Sequence, residues 1–367
     1  MKIICVMGAR PNFVKVAALY RAFTKHPEFS VKLLHTGQHY DDVMYRVFLR
    51  QLSLPDPDFS LNIRGGSHTE QTANIMLGFE KILLNERPDM VFVVGDVNSS
   101  LACALVAVKE AVKVAHIEAG LRSGDKAMPE EINRILIDHI SDELFVSEMS
   151  AVANLQSENI GADKIHFVGN VMIDSLIYCK GRAMELSVFE RLGLKSNAYF
   201  VMTMHRPSNV DSSQALIELI GLIEAVSNLG AVVFPVHPRT KSSLIRHGFW
   251  DKVQRINGLI LLAPQGYLEF FNLVANAILV ITDSGGVQEE TTFLDVPCVT
   301  FRANTERPAT TEGGSNYLVG GVAAVDTAIG IIKKILNEEK KQTSLPPLWD
   351  GFASERIAEI VKKKYTK

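Results

Sequence analysis

The sequence predicts an α/β protein of two Rossmann-like, doubly wound parallel-sheet domains facing each other across a cleft. Three observations carry this. Short β-branched apolar runs alternate with longer amphipathic stretches from end to end, the pattern of repeated strand-and-helix units that build parallel sheets with helices on both faces. Each half holds enough such runs for a sheet of its own. Clusters of Gly, His, Asp and Glu fall just after the runs, at the strand ends where open parallel sheets bind ligands.

Taken in order, the strands of the first half are expected at Ile3 to Met7, Val31 to Thr36, Met90 to Gly95, Val114 to Ile117, Leu144 to Val146 and Ile165 to Val168. Those of the second half are expected at Tyr199 to Thr203, Val232 to Val236, Leu259 to Leu262, Ile278 to Thr282 and Pro297 to Phe301. Gly169 to Asp174 closes the sixth strand and leads into a crossing helix, which sets the domains at 1–170 and 171–351. Gln342 to Pro347 breaks the pattern before a last helix, 352–367, expected to pack back on the first domain. Its Lys362-Lys363-Lys364 run reads as a solvated helix end, where cations complement the dipole.

Composition removes several classes of function. The 367 residues are 47% hydrophobic and 22% charged, with a net charge of −3, enough apolar material for two cores and no basic field to hold a nucleic acid. Cys5, Cys103, Cys179 and Cys298 lie scattered in apolar surroundings without metal or disulfide spacing, and read as reduced core thiols. The apolar run Met1 to Met7 is too short for a signal peptide core and reads as a strand. No stretch of about 18 apolar residues occurs, so no membrane span is expected. A cytoplasmic location fits this pattern.

The strongest phosphate signal is Asp283 to Glu290, a glycine turn that follows a strand and opens a helix. Backbone N–H groups of Ser284, Gly285 and Gly286 there can cradle an anion, although a tight turn alone also calls for glycine. Glu290, with Glu289 already serving the helix dipole, offers an acceptor for ribose hydroxyls. Gly8 to Lys15 likewise follows a strand and opens a helix with Pro11 near its start, bringing Arg10 and Lys15 to where a pyrophosphate would lie. Neither a P-loop nor GxGxxG follows the first strand.

Asp96, Glu118 and Glu130 stand near strand ends of the first half. Glu130 and Arg134 are spaced i and i+4 on one helix face, a pair that contributes little if merely exposed. Uncompensated carboxylates at the ends of buried strands, in contrast, are costly without a purpose. In the second half His205-Arg206 and His237-Pro238-Arg239 follow successive strands and suggest a cationic wall, with Arg307 a further positive charge. No metal motif occurs; Asp56-Pro57-Asp58 lies in a proline-rich loop and reads as turn chemistry.

With these pieces in place the chain resembles the non-hydrolysing UDP-N-acetylglucosamine 2-epimerases, similar in fold to the two-domain GT-B glycosyltransferases. The likeness covers essentially the whole length and rests on GARPNFVK (Gly8 to Lys15), TGQHYD (Thr36 to Asp41), VVGDVNSS (Val93 to Ser100), HIEAGLRSGD (His116 to Asp125), MPEEINR (Met128 to Arg134), HRPSNVD (His205 to Asp211), PVHPR (Pro235 to Arg239), DSGGVQEE (Asp283 to Glu290) and TERP (Thr305 to Pro308). The resemblance implies that Arg10, His205, Ser284, Gly285, Gly286, Glu290 and Arg307 contact UDP, with Phe270 near the uracil. It implies a catalytic set of Asp96, Glu118, Glu130, Arg134 and His205. It also matches Gln38 and His39 to part of a pocket through which bacterial members respond to a second substrate molecule, while Arg64 to His68 departs from those members.

What the resemblance implies is reversible conversion of UDP-N-acetylglucosamine and UDP-N-acetylmannosamine for surface polysaccharide precursors, without metal or NAD. The sugar's C2 proton is not beside a carbonyl, so the anomeric C–O bond must break before or with its removal. Cations would stabilise the departing UDP, and two acid/base groups would serve the two faces of C2, Asp96 and Glu130 with Glu118 in support. Arg134 would orient Glu130. The rival readings are C2 epimerisation of a UDP-2,3-diacetamido-uronic acid, glycosyl transfer and a non-catalytic nucleotide-sugar sensor. Homodimers are common in the family the chain resembles.

Overall fold

The computed structural model describes residues 1–37, 42–63, 65–337 and 341–366, with residues 10 and 42–44 by backbone alone. The chain divides into two compact units, Met1–Cys179 with Pro347–Lys367, and Lys180–Pro346.

The first unit carries a parallel sheet of β1 (Lys2–Met7), β2 (Ser30–His35), β3 (Phe59–Ser60), β4 (Met90–Val94), β5 (Lys113–Ile117), β6 (Glu143–Val146) and β7 (Ile165–Phe167), in the order β3-β2-β1-β4-β5-β6-β7. The second carries β8 (Tyr199–Thr203), β9 (Ala231–Pro235), β10 (Leu259–Leu262), β11 (Leu279–Thr282), β12 (Cys298–Thr300) and β13 (Asn316–Leu318), ordered β10-β9-β8-β11-β12-β13. Both are the doubly wound pattern, whose order reverses beside the first strand of the sheet. The switch points therefore lie between β1 and β4 and between β8 and β11.

Near-continuous apolar runs form these strands because both sheet faces are covered. Along β8 the side chains alternate between two cores: Phe200 and Met202 join one cluster with Leu219 and Phe234, while Tyr199 and Val201 join the opposite one with Leu273 and Val280. In the first unit Ile4, Val6, Val91 and Val93 pack with Phe79 and Ala104.

Two strands escape the sequence pattern. β3 (Phe59-Ser60) and β13 (Asn316-Tyr317-Leu318) are short and mix polar with partly exposed apolar residues, so neither stands out as an apolar run. β3 grows out of the Asp56-Pro57-Asp58 loop, where Asp58 accepts the Leu33 N–H (2.8 Å) and the Lys32 ammonium (2.8 Å) and fastens the loop to β2.

The unit limits differ from the expected 170/171 and 351/352 boundaries. Residues 171–179 and 347–351 belong to the first unit, because the helix Val171–Met184 is anchored there by its amino-terminal half. Ser175 Oγ donates to Val14 O (2.6 Å), and Asp174 accepts the N–H groups of Ala353 (3.2 Å) and Ser354 (2.6 Å), capping the last helix, Ala353–Tyr365. Trp349 Nε1 donates to Ser147 O (3.1 Å), which draws 347–351 along.

Candidate active site

In the first unit the residues singled out by sequence gather at the β1/β4 switch point and its neighbour β5. Asn12 organises the first turn: its Oδ1 accepts the N–H groups of Gly8 (3.2 Å) and Ala9 (2.8 Å), and its Nδ2 donates to Val94 O (2.9 Å), joining the β1 turn to the end of β4. Asp96 follows β4 directly. Its backbone carbonyl accepts Asn133 Nδ2 (2.8 Å) and its carboxylate pairs with Arg134. Glu118 follows β5 with a left-handed φ of 69°, unusual for a side chain with a Cβ; it pairs with the buried Lys15. A Cβ added to Gly95 would stand 3.2 Å from Glu118 Oε2 and 3.9 Å from Asn12 Nδ2, so the Glu118 carboxylate lies over the turn that delivers Asp96.

Two expectations are corrected here. Arg134 turns to Asp96 and to Glu131 (2.5 Å), one residue beyond its expected partner. The reason is local: Glu131 is held by the N–H groups of Ser123 (3.0 Å) and Gly124 (2.8 Å) and by Ser123 Oγ (2.9 Å), which aim it at the i+3 arginine. Burial raises the Glu131 carboxyl, but these N–H donors and Arg134 outweigh it and hold the group below its usual range. Glu130, half-buried, makes no hydrogen bond or ion pair among the described residues. The second correction concerns Lys15. It is inward and paired with Glu118, whose buried carboxylate it neutralises. Gln38, His39 and the side chain of Arg10 lie outside the described residues.

In the second unit the focus is the β8/β11 switch point. Asp283, at the end of β11, accepts the backbone N–H groups of His205 (2.9 Å) and Arg206 (2.8 Å) and the Asn209 amide (3.1 Å), and pairs with His205 Nδ1 (2.9 Å). Burial would raise this carboxyl, but His205 and the two backbone donors overcome it and hold it down to about 2. His205 stays partly open, its ring centroid 5.2 Å from that of His237. His237 starts the helix Pro238–Arg246 and accepts the Arg239 N–H (3.2 Å). Arg239 itself turns to Asp211 (2.7 Å), so the cationic wall read from the sequence does not include it in the free state.

The helix Gly285–Leu294 has no side-chain cap from Ser284, whose own N–H donates to Thr282 Oγ1 (3.0 Å); the first-turn N–H groups of a helix have no intrahelical partners and can receive an anion. A Cβ on Gly285 would lie 2.5 Å from Arg307 Nη1, so glycine lets the guanidinium sit against this helix start. Arg307 is braced by Glu289 (3.1 Å) and Glu306, and Glu306 in turn by Arg302 (2.5 Å). Glu290, one turn along, is buried; desolvation and then the Glu289 charge push it up to about 8, making it a neutral carboxyl that can donate as well as accept. Phe270, in the helix Tyr267–Ala275 that follows β10, packs partly buried against Leu273 and Val274. No group of three or more metal-type side chains and no membrane-crossing helix occurs among the described residues.

The family model described as UDP-N-acetylglucosamine 2-epimerase matches residues 21–362. The chain belongs to that family. A UDP-N-acetylglucosamine 2-epimerase of Methanocaldococcus jannaschii is 42% identical over 98% of this chain and 99% of its own. A crystal structure of the Methanocaldococcus jannaschii enzyme in complex with UDP-GlcNAc and UDP superposes with a TM-score of 0.92, at 42% identity over 99% of this chain and 100% of that one. A UDP-2,3-diacetamido-2,3-dideoxy-D-glucuronate 2-epimerase of Pseudomonas aeruginosa is 40% identical over 99% of this chain and all of its own. The fold is thus that of the GT-B-like epimerases, and the protein is an isomerase by family.

Several residues of this candidate site carry roles that the sequence alone does not show. Asp283 opens the DSGGVQEE motif, yet its function as anchor of the His205 loop depends on β8 and β11 being neighbours, which spacing alone does not reveal. Asn12 and Asn133 lie inside recognised motifs and were detectable as polar residues beside charged ones, but not as donors to particular strand ends.

Proposed function

We propose that this chain inverts C2 of UDP-N-acetylglucosamine, interconverting it with UDP-N-acetylmannosamine by loss and return of UDP. The observation that carries the reading is the set of three carboxylates on the first unit in three different electrostatic settings. Asp96 is oriented by Arg134 and partly open, Glu118 is neutralised by Lys15, and Glu130 has no partner among the described residues. A reaction that moves a proton on and off both faces of one carbon needs two accessible acid/base groups and a fixed charge nearby.

The second unit supplies the nucleotide side. The open helix start at Ser284, Gly285 and Gly286, with Arg307 against it and His205 beside it, suits a diphosphate; Glu290 suits ribose hydroxyls, and Phe270 and His237 complete the set. As the C1–O bond breaks, its electron pair leaves with UDP, one carboxylate takes the C2 proton, and a C1–C2 double bond forms, giving a 2-acetamidoglucal. Protonation of C2 from the other face and return of UDP to C1 completes inversion with no net oxidation. Asp96 and Glu130 take the proton-transfer roles, Arg134 orients Asp96, and the Lys15–Glu118 pair braces the turn beside them.

The Pseudomonas relative favours a second reading, the same inversion on a UDP-2,3-diacetamido-uronic acid. Proton NMR of each UDP-sugar with the protein in D2O decides between them. Deuterium at C2 with the manno product from UDP-N-acetylglucosamine supports the first reading; exchange on the uronic acid alone supports the second. UDP release only when an acceptor sugar is added would instead mean glycosyl transfer. Exposed Leu77 and Leu84 on the helix His68–Glu86, and Ile132 and Leu136 on Pro129–Ile140, support a homodimer, which sedimentation tests. The four buried free thiols support a reducing, cytoplasmic setting, and the product would feed surface polysaccharide synthesis.

A further inference from the structure

Beneath the two carboxylate turns of the first unit lies a buried polar network that the proposed reaction leaves unused. His116, on β5, is fully buried. Its Nε2 lies 3.1 Å from Gly95 O and its Nδ1 2.7 Å from Asp138 Oδ1. A carbonyl only accepts, and the Asp138 carboxylate is already accepting the Gly120 N–H (3.0 Å) and Arg122 Nη1 (2.7 Å), so the ring donates through both nitrogens. Arg122 continues the network in a two-pronged pair with Glu158 (2.7 Å each). Burial raises the Asp138 carboxyl, but His116 and Arg122 outweigh it and keep it below the usual range.

The backbone groups so held are well chosen. Gly95 O belongs to the peptide that leads into Asp96, and the Gly120 N–H lies two residues past Glu118. Gly95, Glu118 and Gly120 all have left-handed φ, at 63°, 69° and 78°; the two glycines adopt it freely, whereas Glu118, with its Cβ, keeps it only where its surroundings over-determine it. At Gly120 a Cβ would meet Ala151 O at 2.5 Å, so this turn has no freedom to be rebuilt with another residue.

We infer that His116 and Asp138 form a positioning pair, clamping the Gly95 and Gly120 turns from below so that the carboxylates of Asp96 and Glu118 are held at one spacing. The inference rests on the epimerase reading above. The pair's hydrogen bonds go to Gly95, Gly120 and Arg122 of the first unit, so it acts on turnover and not on UDP affinity. A fully satisfied buried network of this kind fixes geometry more than it adds stability.

The test compares His116→Phe, which keeps an aromatic ring and loses both donors, with His116→Gln, whose amide can still donate to Gly95 O. The phenylalanine variant is expected to bind UDP as the native protein does and to lose about 100-fold in kcat, the order of effect for reacting groups displaced by about an ångström. The glutamine variant is expected to recover about tenfold of that loss. Should His116→Phe fail to fold, Asp138→Asn, which has one accepting oxygen where two serve His116 on one side and Gly120 and Arg122 on the other, takes its place with the same expectations. A folded variant with native turnover overturns the proposal, as does a parallel fall in UDP affinity and kcat with no recovery by glutamine. The native protein is assayed first on both UDP-sugars; absence of C2 exchange there removes the epimerase reading, and the positioning role with it.

Discussion

Lys15 and Glu118 form an ion pair in which each side chain is less than a tenth exposed. The lysine comes from the first turns of the helix Arg10–Phe23 and the glutamate from the end of β5, so the pair links the β1 and β5 ends across β4. Removing one partner of such a pair leaves a buried charge without compensation, a loss of about 3–5 kcal/mol. Lys15→Met is therefore expected to lower urea stability by that order and to abolish turnover. The double variant Lys15→Met with Glu118→Gln should recover much of the stability and none of the activity. Additive losses in the double variant would mean that the pair is not coupled.

Asp283 organises the His205 loop, and Asp283→Asn replaces one of its accepting oxygens with a donor. Two backbone N–H groups, the Asn209 amide and the His205 ring then compete for one acceptor. UDP affinity is expected to fall, and turnover to drop about 100-fold through misplacement of His205. Calorimetry with UDP and the NMR assay measure the two effects. Because the folded carboxyl lies at about 2 and the unfolded one at 3.8, this group stabilises the native protein above pH 4 and ceases to do so as pH falls through 2.

The sheets are legible in the sequence because their strands are buried on both faces and stand out as apolar runs such as Met90–Val94 and Leu279–Thr282. β3 and β13 are not, because Phe59-Ser60 and Asn316-Tyr317-Leu318 mix polar with apolar residues, are partly exposed, and form by pairing with a neighbouring strand. The positions of Asp96, Glu118 and His205 just past strand ends follow directly from the strand assignments. Which partner each takes does not. Helical spacing allowed Arg134 to meet Glu130, and the choice of Glu131 was made by Ser123 and Gly124, in a loop whose path is set by tertiary contacts. In the same way Lys15 reads as a cation for a pyrophosphate until β5 delivers Glu118 to it.

Glu290 gives a stability effect of the opposite sign to Asp283. Its carboxyl is raised from 4.5 to about 8 by burial and by Glu289, so between those two pH values the unfolded chain releases a proton that the native protein keeps. Stability is lost over that window as pH rises, amounting to about 3 kcal/mol at pH 7 from the shift alone. Glu290→Gln, neutral at every pH, should raise Tm at pH 7 to 8 and leave it unchanged at pH 4. A Tm gain independent of pH would show that packing, and not ionisation, is responsible.

The Glu143 carboxylate ties the chain's last helix to the sheet. It stands at the start of β6, almost fully buried, and is met by His166 Nε2 (2.5 Å), Lys364 Nζ (2.7 Å) and the Tyr365 hydroxyl. Burial would raise this group, but His166, Lys364 and Tyr365 together hold it at about 2. With a folded pKa below the unfolded 4.5, its contribution, about 3 kcal/mol from the shift, is complete above pH 5 and disappears as pH falls from 4.5 through 2. Glu143→Gln is therefore expected to lower Tm at pH 7 and to flatten the acid limb of the stability curve. Hydrogen exchange should show that amides of the helix Ala353–Tyr365 lose protection first, while those of β8 to β13 keep theirs. Uniform loss of protection across both units would mean that the last helix is not held separately by this carboxylate.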